Sequence, residues 1–272
     1  MTRAFLMVLL VAMPSLIVPG VAEDTSQMVV ATAFVAAIMV FIEYNGSSTS
    51  ILEFRFAPPY NRLKFGFIAA TVLFLSLTAR SPIEAAPISD LAAGLGRVIG
   101  NALDFPYSPV RSMTNLMPVG ADAKSIDAVR SAAGVSYAAA MMMALTFLMM
   151  VLFFGWPVRN GAFNVCLNLP LFDPTGGGDV VDRLQRDAGL NVSLGFVLPF
   201  LIPVGLVLIT NFAEKVGYLL PLNLIWITCA WAFLPASLIM RGVAMYRIAG
   251  LISQKRQRAY AKAEAEPELQ IA

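Results

Sequence analysis

The sequence predicts an all-α integral membrane protein, a polytopic bundle of about six transmembrane helices with interfacial amphipathic helices, and three observations predict it. The chain is 58% hydrophobic and 13% charged, with a mean hydropathy of +0.73. That leaves too little polar surface to cover a water-soluble globule of 272 residues. Six apolar runs lie along the chain, none holding an Asp, Glu, Lys or Arg in its interior. Most basic residues fall at the N-terminus, in alternate inter-run segments and in the C-terminal tail.

The run over 135–156 is 22 uncharged residues long, which at about 1.5 Å per residue reaches about 33 Å, enough for a hydrocarbon core of about 30 Å. Runs over 192–212 and 216–240 each exceed twenty residues and read as spans in the same way. Runs over 28–42 and 65–79 hold only fifteen residues each, a length that also suits a buried core helix. In a chain this apolar they read as spans met by bilayer thinning or snorkelling flanks. The first run, 4–22, has two readings. Arg3, an apolar stretch and small residues at Gly20 and Ala22 before Glu23 resemble a cleavable signal peptide; the alternative is a retained helix, and cleavage would leave five spans.

With a cytoplasmic N-terminus, thirteen of the nineteen basic residues fall on the inner side. They are Arg3, the elbow residues Arg55, Arg62 and Lys64, then Arg159, Arg183 and Arg186, and the tail residues Arg241, Arg247, Lys255, Arg256, Arg258 and Lys262. Five of the other six occupy one long outer loop, and long loops cross with little regard for charge. The expected arrangement is a bacterial-type inner membrane protein with both termini cytoplasmic if the N-terminal helix is retained. Its segments are 1–79 (membrane, with 1–22 the possible signal), an outer loop over 80–134, membrane helices over 135–240 enclosing a cytoplasmic loop at 157–191, and a basic tail over 241–272. Attraction to anionic headgroups accounts for the basic surface.

The chain has no histidine. Histidine-ligated haem, the His-containing zinc sites and Ser-His or Cys-His nucleophilic pairs are therefore excluded. Cys166 and Cys229 fall in a loop and a span, which implies no disulfide framework. No cofactor is expected.

Two constellations invite a functional reading. Asp173-Pro-Thr-Gly-Gly-Gly-Asp179 precedes a helical pattern over 180–190. Its glycines could approach a phosphate, and Asp173, Asp179 and Asp182 could hold a divalent cation. The Gly-Lys-Ser/Thr ending of a phosphate-binding loop is missing. The structural alternative makes Asp179 the cap of a short amphipathic helix with Val180, Val181, Leu184 and Ala188 on its apolar side. Pro199 and Pro203 break the fifth span, which predicts unpaired carbonyls at Gly195 and Pro199, either a transport site or an ordinary kink. Pro221 and Pro235 in the sixth span admit the same two readings.

Other features point to packing. Met141, Met142, Met143, Met149 and Met150 circle the fourth span without converging as a copper site would require. Leu91, Leu95, Val98 and Ala102 give the outer loop an amphipathic stretch expected to lie on the membrane surface, with 105–107 and 116–118 keeping the rest of the loop irregular but close to the membrane. The elbow over 54–60, rich in aromatics, is expected among the headgroups. Small residues four apart (Ala33 and Ala37, Gly66 and Ala70, Ala140 and Ala144, Ala232 and Ala236) suit close helix packing, internal or with a partner. The reading that follows is a non-catalytic accessory, assembly or scaffold component of a membrane complex. Its partners are the lipid bilayer and other membrane proteins, with no nucleic acid. The alternatives are a small-solute transporter or channel built on the proline breaks, and a metal-dependent membrane enzyme acting on a phosphorylated substrate through the aspartate loop.

Overall fold

The computed structural model describes residues 1–46, 51–118, 120–157, 165–170, 172, 177–207 and 217–270, with backbone alone for 166 and 264–270. It is 80% helical, with no strand among the described residues. The helices are α1 (Thr2–Ile17), α2 (Glu23–Asn45), α3 (Tyr60–Arg80), α4 (Pro87–Leu103), α5 (Pro109–Thr114), α6 (Ala123–Phe153), α7 (Val165–Asn168), α8 (Val180–Val207) and α9 (Pro221–Gln270). Five of them, α2, α3, α6, α8 and α9, are long and apolar enough to cross a membrane. α1, at 16 residues, reaches about 24 Å and falls short of a full hydrocarbon core.

The two fifteen-residue runs sit inside longer helices. α2 has 23 residues and α3 has 21, because Glu23 and Asp24 favour the positively polarised start of α2, and Arg80 the negatively polarised end of α3. α2 is the reverse of a core helix. Ala33 is its one buried residue, while Met28, Val30, Phe34, Val35, Ile38 and Ile42 are exposed. It packs against α1 across a turn closed by Gly20 at φ +76°, and α1 packs in turn on α3. The C-terminus of α2 is capped from a distance: the Arg55 guanidinium donates to the carbonyls of Glu43 at 2.6 Å and Gly46 at 3.0 Å, and also to that of Tyr44. A cation on the last carbonyls suits that end of the dipole.

α9 is the spine, packed by α8, α6 and α3. Ser136 Oγ of α6 donates to Thr228 Oγ1 of α9 at 3.3 Å, and the rings of Tyr137 and Trp231 stack between the same two helices. Ala140, Ala144, Ala232 and Ala236 are buried, so these small pairs serve internal packing, whereas Gly66 and Ala70 face outward. Met143 is fully buried and Met142 and Met149 are exposed, the scatter around the helix expected of packing residues.

Several expectations change. The tail over 241–270 is helical and continues α9 in a helix of 50 residues. Pro221 opens α9 and does not break it; its missing N–H costs nothing at a first helical position. α6 starts at Ala123, capped by Asp122 accepting from the Ser125 N–H, so it enters the bundle well before the apolar run begins. Between α4 and α6, Ser108 caps α5 ahead of Pro109. Val110 and Met113 are fully buried, so this stretch is a packed helix and not an irregular one. α4 matches its amphipathic reading, with Leu91, Leu95, Val98 and Ala102 all exposed. Its opposite, glycine face meets α6, where a Cβ added at Gly134 would lie 2.6 Å from Gly100 Cα.

Candidate functional site

The proline-bearing part of α8 is completed by its neighbour. Pro199 and Pro203 are buried within the helix, and proline at 203 leaves the carbonyl of Pro199 without its helical partner. The indole N–H of Trp231 on α9 donates to that carbonyl at 2.9 Å. The sequence reading of a free carbonyl at Pro199 is thereby corrected: a side chain one helix away supplies the lost hydrogen bond, as membrane helices permit. One turn earlier the backbones touch. A Cβ on Gly195 would meet Ile239 Cγ1 at 2.5 Å and the Pro235 carbonyl at 2.7 Å, and one on Gly242 would meet the Ala188 carbonyl at 2.7 Å. Glycine at both positions lets α8 and α9 approach this closely.

In the aspartate loop, Asp173 lies outside the described residues, together with 174–176. Asp179 caps α8, its Oδ1 accepting from the Val181 N–H at 2.8 Å, and both of its carboxylate oxygens accept from Arg256 of α9 at 2.8 and 3.0 Å. The Val181 N–H bond and then the Arg256 contact hold its carboxyl below the usual range, against a small opposing effect of burial. Asp182 is exposed in the first turn of α8. Among the described residues no three His, Cys, Asp or Glu side chains are grouped to hold a metal ion. The helix that Asp179 caps is not short, since α8 runs unbroken from Val180 to Val207. Val181, Leu184 and Ala188 are buried, as their spacing predicts, and Val180 is half-buried.

A third constellation escaped the sequence reading. Glu53, in the elbow before α3, pairs through Oε2 with Arg241 Nε of α9 at 2.7 Å. Arg241 Nη1 also donates to Asn191 Oδ1 of α8 at 3.1 Å, and Asn61 Nδ2 holds the Glu53 carbonyl at 2.8 Å. The two charged side chains are only 11% and 23% exposed, and Glu53 Oε1 is buried without a hydrogen-bond partner among the described residues. Such a pair ties the elbow, α8 and α9 together and offers one carboxylate oxygen to a proton donor or a cation. The available signal was charge: Glu53 is an acid set among the basic residues Arg55, Arg62 and Lys64.

Beneath it the elbow turns inward. Phe54, at φ +53°, has its N–H on the Asn168 carbonyl at 2.7 Å, and the Phe56 N–H donates to Asn168 Oδ1 at 3.1 Å. Phe54, Tyr60, Phe147 and Trp156 form one ring cluster with centroids 4.4 to 6.2 Å apart. The Trp156 indole donates to the Ala57 carbonyl at 3.2 Å, while Arg247 Nε donates to the Trp156 carbonyl at 3.1 Å. The elbow's aromatics divide accordingly: Phe56 is exposed, whereas Phe54 and Tyr60, 1% and 2% exposed, are core residues and not the headgroup-facing ones expected; burying both rings outweighs the cost of the left-handed backbone at Phe54. No family model, curated protein or solved structure matches this chain.

Proposed function

We propose that the chain is a multi-pass protein of a bacterial-type inner membrane, with the short α1 crossing a locally thinned bilayer as a sixth span and both termini cytoplasmic, that acts without catalysis as an assembly or scaffold component. Support for the membrane comes from α2, whose apolar side chains are exposed around a helix of mean window hydropathy 2.0. Lipid stabilises such a surface and water does not. α1 is the neighbour that holds α2 to the bundle, which supports retention of residues 1–22.

The observation that carries the assembly reading is the outward position of Gly66 and Ala70 on α3. The other small pairs of α6 and α9 are consumed inside the bundle, while a Cβ added at Gly66 would meet nothing within 4 Å. A flat, small-residue face of this kind lets a helix of another membrane protein approach. Replacing both residues with Ile leaves the internal packing untouched. Purification in mild detergent should recover a membrane-protein partner with the wild type and lose it with the double variant. Recovery of the same proteins with both would remove the basis of this reading.

The transporter alternative is supported by the buried, unpartnered Oε1 of Glu53, not by the prolines, since Trp231 occupies the Pro199 carbonyl. The metal-enzyme alternative has less to stand on, because Asp179 is engaged by the α8 backbone and Arg256.

A further inference from the structure

A cavity of about 280 Å³ opens between the first turn of α1 and the last two turns of α2. Two guanidinium groups share one of its rings: Tyr44 lines the cavity, and the Cζ atoms of Arg3 and Arg55 lie 3.8 and 5.7 Å from its ring centroid. Arg55 is anchored there by its bonds to the last carbonyls of α2. Arg3 lines the cavity itself and makes no ion pair among the described residues. A tyrosine face attracts a guanidinium without neutralising it. No acid lines the cavity among the described residues. Glu43, one position before Tyr44, is turned onto the N–H groups of Ile51 and Leu52 at 3.4 and 3.3 Å. Two cations held beside one ring repel each other, and an anion in the cavity relieves that repulsion.

The order of the lining names the class of anion. Tyr44 and Asn45 end α2, and Thr2 and Arg3 begin α1, so this part of the lining is polar. Val40 and Phe41, one turn earlier on α2 and about 6 Å away along its axis, are apolar lining residues. Phe41 and the adjoining Ile42 are exposed, which in the membrane reading sets that turn against hydrocarbon. A free phosphate gains nothing from Val40 and Phe41, whereas a phospholipid presents its phosphate and then its acyl carbons in the same order. An ammonium in the headgroup would add a third cation beside Arg3 and Arg55, so a headgroup of net negative charge is favoured.

We infer that this cavity binds the phosphate of an anionic phospholipid such as phosphatidylglycerol, with Arg3 as its direct partner and Arg55 adding charge beside Tyr44. The inference rests on the membrane reading above and on retention of residues 1–22, and in that topology the site belongs to the cytoplasmic leaflet. Native mass spectrometry of the full chain, released from nanodiscs of equal phosphatidylglycerol and phosphatidylethanolamine, tests it. Wild type should retain phosphatidylglycerol. Arg3→Gln, which alters an exposed side chain, should retain about tenfold less. Arg62→Gln removes another exposed cation of the same leaflet that does not line the cavity, and should retain as much as wild type. Inorganic phosphate, compared with chloride at equal ionic strength, should leave the retained lipid in place. Size-exclusion and helical circular dichroism confirm that the variants fold. Wild type with no preference for phosphatidylglycerol, Arg3→Gln matching wild type, or Arg62→Gln falling as far as Arg3→Gln overturns the inference. Displacement by phosphate overturns it too, since the site then serves a free anion, and so does an intact mass lacking residues 1–22. Alkaline extraction separates the two readings: protein that stays in the membrane but fails these tests defeats the lipid site alone, and protein released from the membrane defeats both.

Discussion

Trp231 and Pro199 form a donor–acceptor pair across two helices, the indole N–H of one lying 2.9 Å from the carbonyl oxygen of the other. The proline at 203 creates the vacancy and the tryptophan 28 positions later in the chain fills it, so the proline pair of α8 and the packing of α9 are one feature. Trp231→Phe keeps a ring beside Tyr137 but orphans the carbonyl in an apolar interior. It should destabilise the protein by about 1–3 kcal/mol, read as a shift in unfolding by denaturing detergent. An unchanged midpoint would show that the Pro199 carbonyl has another partner.

Gly242 and Gly205 make a matched pair of opposites. A methyl at Gly242 would sit 2.6 Å from Val192 Cγ2 and 2.7 Å from the Ala188 carbonyl, whereas one at Gly205 meets nothing within 4 Å. Gly242→Ala should therefore cost about 1–3 kcal/mol through forced separation of α8 from α9. Gly205→Ala should be neutral or stabilising by up to about 1 kcal/mol through helix propensity. The same unfolding assay compares them, and equal effects would contradict the close crossing of the two helices.

The segment between α4 and α6 carries its own pH signature. Asp104 accepts from Arg130 Nε at 2.7 Å and from Arg111, with its side chain only 6% exposed. Burial alone would raise its pKa; the hydrogen bonds and charges of Arg111 and Arg130 outweigh burial and hold it below the usual carboxylate range. A carboxylate depressed in the folded state contributes stability above its unfolded pKa of about 3.9, and that stability is lost as pH falls through the folded value. Amide exchange over 104–114, corrected for intrinsic rates, should stay protected from neutral pH down to about 4 and loosen below it. Asp104→Asn should be loosened at neutral pH with no acid transition, and loss of wild-type protection already between about pH 7 and 5 would contradict the assignment.

Helix positions were legible because uncharged runs of this length have few alternatives, and the amphipathic faces of α4 and the start of α8 were legible from spacing. Helix ends were less so. Asp122 and Ser108 are ordinary N-cap residues, yet a charge-based division of the chain places both inside a loop. The Glu53–Arg241 pair joins residues 188 positions apart in sequence, and no local pattern announces a contact of that separation. For the prolines, sequence shows which carbonyl loses its helical partner but not that Trp231 replaces it. Of the aspartate loop, Asp179 and Asp182 are placed and Asp173 is not among the described residues.

The central claim is a multi-pass membrane protein with both ends in the cytoplasm, and single-cysteine accessibility in intact cells tests it most directly. Cysteines introduced at Asn45, Gly177 and Lys255, each in a variant with both native cysteines replaced by Ser, should react with a membrane-impermeant maleimide only after the cells are permeabilised. A cysteine at Tyr107, 92% exposed beside Asp104, should react in intact cells. External labelling at Lys255 or protection at Tyr107 would contradict the orientation, and a chain recovered in the soluble fraction would contradict the membrane reading itself.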